Sequence, residues 1–150
     1  YAFSTEGMVG YSLGKKDLKL FKIVVKNSFI LSSLTGLFIS IIYFFINEYL
    51  INLMTDIEDI RKLSASYVIW IISIPFIASF CYQFDGIFIG TSQTKELRNA
   101  MIFSVFCYLL ISIILTNYLS NTGVWVSLCL FMILRALSLY FYLDRIYQRF

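Results

Sequence analysis

Histidine is absent from the 150 residues, proline occurs once, and only 14% of the chain is charged. Soluble domains carry roughly 25% charge. Without histidine, and with Cys81, Cys107 and Cys129 scattered through apolar runs, no zinc-type ligand set can be assembled. Those cysteines read as small packing residues rather than a disulfide framework. The missing histidine also removes the commonest general base. No nucleophile–base set or pair of intramembrane aspartates replaces it, so an intramembrane enzyme is disfavoured. The net charge of +3 is too weak an excess to argue for a nucleic-acid partner, and none is expected.

What remains is apolar. Hydrophobic residues make up 59% of the sequence, and nearly all fall in runs far longer than the periodic segments of a soluble core. A helix needs about 20 apolar residues to cross a bilayer. Residues 27–46, 67–90, 100–119 and 124–143 each meet that length, which predicts an all-α integral membrane protein with four full spans. Residues 1–14 are apolar and glycine-rich but too short to span, and Lys15 and Lys16 follow them. They read as the end of a fifth transmembrane helix whose beginning is missing, so the chain is expected to be a membrane fragment.

The connectors alternate in charge. Residues 15–26 are basic, with Lys16, Lys19, Lys22 and Lys26 spaced between Leu18, Phe21 and Val25 at helical intervals. Such a segment suits either a basic cytoplasmic connector or a helix lying among anionic headgroups. Residues 47–62 carry Glu48, Asp56, Glu58 and Asp59. The Asp-x-x-Asp spacing of Asp56 and Asp59 resembles one magnesium-binding pair of the prenyl-transferring enzymes, but a single pair is a weak signal and a solvated acidic loop accounts for it. Lys95 and Arg98 follow the second full span, residues 120–122 form an uncharged tight turn, and the tail is basic again. The positive-inside rule then places residues 15–26, Lys95, Arg98 and the C-terminus in the cytoplasm and residues 47–62 outside.

The candidate functional residues are those a plain anchor does without. Pro75 lies in mid-span and predicts a bend, with Gly86 further along as a second hinge candidate. Gln83 and Asp85 interrupt the same apolar run, and Glu6 and Arg135 interrupt two others. An ionisable group in hydrocarbon is costly and marks a candidate site for ion coupling or for a cavity. All three charges fall in the cytoplasmic half of the bilayer, with Glu6 about two turns before Lys15. Asp85 and Arg135 can equally neutralise one another as a packing device. Gly7, Gly10 and Gly14 are expected to form a helix-packing face, as are Gly36 and its neighbours Ser32, Thr35 and Ser40.

Residues 1–14, 84–101, 123–128 and 131–139, with the Asp-Gly-Ile-Phe-Ile-Gly block at 85–90 as the most specific part, resemble the DinF-like subgroup of the multidrug and toxin extrusion (MATE) transporters. Order and spacing match the last five helices of that twelve-helix family. The resemblance implies part of a six-helix lobe, with the N-terminal lobe absent and required as a partner, and a cavity opening alternately to either side. It implies a secondary antiporter in the inner membrane of a bacterium. Small organic, often cationic compounds would leave in exchange for H+ or Na+, with no other cofactor and no bound metal. A lipid-linked oligosaccharide flippase of the same superfamily is the related alternative, though it calls for a cavity rich in Arg and Lys. A non-transporting anchor or assembly subunit is the other, and the buried charges disfavour it.

Overall fold

The computed structural model of the chain describes residues 1–148 and 150. Five helices follow one another: α1 (Ala2–Gly14), α2 (Leu18–Met54), α3 (Glu58–Gly90), α4 (Thr94–Leu119) and α5 (Asn121–Tyr147). No strand occurs among the described residues. Helices are what apolar runs of this length must form, because hydrocarbon offers no partner for a free backbone group. α2 to α5 are each long and apolar enough to cross a membrane, and each contains one of the four expected spans.

The expected connectors at 15–26 and 47–62 are mostly helix instead. α2 begins at Leu18 and runs 37 residues to Met54, roughly 55 Å at 1.5 Å per residue. That exceeds a hydrocarbon core of about 30 Å, so α2 is longer than a single crossing requires. Inner-face residues keep the basic turns helical: Phe21 and Val24 are buried between the exposed lysines. At the other end only residues 55–57 separate α2 from α3. Arg61 holds that break together. Its Nε donates to Thr55 O at 2.7 Å, and Nη2 donates to Asn52 O at 3.3 Å and to Asp56 at 3.1 Å. A basic residue on the acidic side thus serves the last carbonyls of α2.

The two turns at the basic end are built alike. After α1, Lys16 N–H donates to Leu13 O and Asp17 N–H to Ser12 O; after α3, Ser92 N–H donates to Ile89 O and Gln93 N–H to Phe88 O. Each is a Schellman closure with a non-glycine residue in the left-handed region, Lys16 at φ 54° and Ser92 at φ 57°. That conformation costs about 1 kcal/mol, offset by the carbonyls it satisfies. Asp17 then caps α2 by accepting from Leu20 N–H at 2.9 Å.

α3 touches all four other helices. The buried apolar cluster lies toward the basic end, where Val9 of α1, Phe21 and Val24 of α2, Ile87 and Phe88 of α3, Ala100 of α4 and Leu143 and Ile146 of α5 meet. Toward the acidic end large apolar side chains such as Phe45 and Leu53 stand exposed, as they do on a surface whose solvent is lipid.

Candidate functional site

Small residues let α1 and α3 come together. A Cβ added at Gly90 would run into the main chain of Glu6, one at Gly86 would meet Ala2 O, and one at Gly10 would stand 3.0 Å from Gly90 O. The contact face is therefore Ala2, Glu6 and Gly10 against Gly86 and Gly90. Of the three α1 glycines, Gly10 packs within this chain; Gly7 and Gly14 meet nothing within 4 Å among the described residues. The same four-residue spacing at Gly86 and Gly90 carries the contact instead. Gly86, a hinge candidate by sequence, is buried in this close crossing. α2 and α3 approach just as tightly, with Gly36 against Pro75 O and the side chain of Ser79.

These crossings surround an open cavity of about 620 Å3 between α1, α2 and α3. Glu6, Gln83, Asp85, Pro75 and Gly86 all line it, together with Ser32, Thr35 and Tyr82. Pro75 lies within a helix that stays continuous from Glu58 to Gly90. Gln83 is buried and fixed in place, its Oε1 accepting from Thr5 Oγ1 at 2.8 Å. In a membrane protein such an interhelical bond contributes about 0.6–2 kcal/mol, and here it ties α1 to α3. Thr5 carried no signal in the sequence, being one hydroxyl among many on membrane helices.

Asp85 stands where the cavity meets α5. Arg135 Nη2 donates to both of its carboxylate oxygens at 2.9 Å, and the side chains keep only 15% and 14% of their exposure. Arg135 Nε is buried without a partner among the described residues, so the guanidinium is committed to Asp85 and to nothing else found there. The two charges of opposite sign expected in one half of the bilayer therefore meet. Glu6 does not join them. It lies level with Gly90, the last residue of α3, about a turn nearer the basic end than Asp85. Its carboxylate is half-exposed toward the cavity rather than set deep in the bundle.

Among the described residues no three His, Cys, Asp or Glu side chains stand close enough to hold a metal ion. The site can hold one compensated charge pair beside a cavity with aromatic and hydroxyl groups on its wall.

The MatE family matches residues 1–119. DNA damage-inducible protein F of Escherichia coli (strain K12) is 31% identical over 139 residues, which cover 93% of this chain and 30% of that protein. The chain thus spans under a third of the length of the curated relative it matches. No solved structure matches it significantly.

Proposed function

This chain belongs to the MATE family of multi-pass membrane proteins, and on that premise we propose that it forms part of a secondary antiporter. Its members are transporters rather than enzymes. The carrying observation is the Asp85–Arg135 ion pair at the wall of a cavity framed by three helices. An ionised carboxylate among apolar helices needs a compensating charge, since leaving it bare costs at least about 2.5 kcal/mol on the insertion scale. In the closed pair Arg135 supplies that charge. When the pair separates, Asp85 must take up H+ or Na+ from the cavity before the state is tolerable. Such a rule prevents an empty, uncompensated return and so couples ion movement to the opening of the cavity.

The substrate in this reading is a small organic compound, often cationic. Tyr1, Phe3 and Tyr82 line the cavity, and ring faces attract cations by about 0.5–2 kcal/mol. Half-exposed Glu6 adds a negative charge at one mouth. The flippase alternative is less well supported, because neither Lys nor Arg lines this cavity and a pyrophosphate would find no cation there. A non-transporting anchor has no use for the cavity or the pair. The remainder of the transporter, including a second lobe, would complete the cavity. The basic end and the C-terminus would face the cytoplasm of a bacterial cell.

The test is proton- or sodium-driven efflux of a cationic dye by the full-length transporter in everted vesicles. With Asp85→Asn, efflux is expected to fall at least tenfold while membrane insertion stays near normal. Undiminished, ion-coupled efflux by that variant would overturn the assignment.

A further inference from the structure

The basic turns of α2 have no part in the transport reading, yet their placement is specific. At 100° per residue, Lys19, Lys22 and Lys26 fall within a sector of about 60° on α2. All three are exposed. Further down the helix Leu37 and Phe44 fall in the same sector and Ile30 within about 20° of it, and they are 47%, 60% and 49% exposed; Ser33 and buried Ser40 share the sector. The large exposed side chains on this face are therefore cationic for two turns and apolar below. Charge stacked above hydrocarbon in this order complements a phospholipid lying along the helix, headgroup at the lysines and chains below.

The cations on this face are available. None of the three lysines forms an ion pair with a described residue, and Asp17, two residues before Lys19, accepts the Leu20 N–H as the cap of α2. Lys22 Nζ lies 5.8 Å from the ring of Tyr147, an attraction that leaves its charge uncancelled. The mount is rigid. On the opposite side of these turns Phe21 is fully buried and packs edge-on against Tyr147 at 5.8 Å between ring centres. Arg145 at the same end differs, being engaged with Glu96 at 3.2 Å.

We propose that the Lys19, Lys22 and Lys26 face of α2 is a binding site for anionic phospholipid, with phosphatidylglycerol-type headgroups as its ligand. Each lysine near an anionic surface contributes about fivefold in association, and partial overlap of three such effects predicts a preference of at least about threefold over zwitterionic lipid.

The test reconstitutes the full-length transporter in phosphatidylcholine bilayers and adds spin-labelled phosphatidylglycerol or spin-labelled phosphatidylcholine. The fraction of each that is immobilised at the protein is read from its spectrum. Phosphatidylglycerol is expected to be preferred at least about threefold at low salt, the preference shrinking toward unity near 1 M salt, where screening acts within about 3 Å. K19Q/K22Q/K26Q is expected to abolish the preference, and K19R/K22R/K26R to keep it with unchanged helix content. K95Q/R98Q, which removes two cations from the same end, is expected to keep it as well. Absence of a preference in the parent transporter, or its survival in the triple Gln variant, overturns the proposal. So does an equal loss in K95Q/R98Q, which marks diffuse charge in place of a site. If the face is instead covered by the remainder of the transporter, labelled lipid does not reach it and the parent transporter shows no preference.

Discussion

Replacing Asp85 by Asn removes the only partner that Arg135 has among the described residues, and the size of the loss follows from the geometry. Two bonds of 2.9 Å hold the pair, and each side chain keeps about a seventh of its exposure. Breaking a fully buried pair from one side costs about 3–5 kcal/mol, mostly the penalty of the stranded charge. Asn retains one acceptor oxygen and some solvent reaches the site, so about 2 kcal/mol is expected here. Arg135→Met strands the carboxylate and is expected to cost about 3 kcal/mol. Combining the two strands nothing, because replacing both charges by neutral groups is often close to neutral. The double variant is then expected within about 1 kcal/mol of the parent, and the pairwise coupling comes to about 4 kcal/mol. Reversible unfolding in mixed dodecyl maltoside and dodecyl sulfate micelles, followed by helical circular dichroism, measures all four corners of the cycle. Additive effects, with a coupling below about 0.5 kcal/mol, would refute the reasoning.

The close crossings make a sharper contrast. Gly90→Leu drives a side chain into the main chain of Glu6 and is expected to abolish disulfide trapping between cysteines placed at positions 5 and 83, where the Thr5 and Gln83 side chains touch at 2.8 Å, whereas Gly7→Leu, which meets nothing within 4 Å, is expected to leave it intact. Arg61→Ala removes three hydrogen bonds from the α2–α3 link and is expected to cost about 1–2 kcal/mol in the same micelle assay. Lys62→Ala, which loses an exposed pair with Glu58, serves as the comparison and is expected to cost under about 0.5 kcal/mol.

The helices and the ion pair were legible from residues alone for a simple reason. Runs of twenty apolar residues admit one backbone solution, and opposite charges in one half of a bilayer gain by meeting. Helix ends were not legible, because an exposed basic stretch reads as a connector until its inner face is known to be held. Phe21 and Val24 do that for α2, and their spacing fits a helix lying on the surface as well as one continuing out of the span. The packing glycines were half legible. Spacing by four identifies a surface that permits close approach, but it does not say which helix turns that surface inward. Gly86 and Gly90 of α3 do, while Gly7 and Gly14 of α1 stay outside. Glu6 lies level with Gly90, the last residue of α3, a relation between two helices that spacing along α1 does not give. Of the cavity wall, Glu6, Gln83 and Asp85 are legible as polar interruptions of apolar runs, whereas Ser32, Thr35 and Tyr82 are not, since they converge only after three helices have packed.

The central claim is that this cavity opens in turn to the two sides of the membrane. Thr35 lines it and is half-buried, so Thr35→Cys reports access directly once Cys81, Cys107 and Cys129 have been replaced by Ser. The measurement is the labelling rate of that cysteine by an impermeant maleimide, in the full-length transporter, from outside in whole cells and from inside in everted vesicles, with and without an imposed ion gradient. Alternating access predicts labelling from both sides, with the gradient speeding one and slowing the other. Labelling from a single side at a rate indifferent to the gradient, in a variant that still transports, would contradict it.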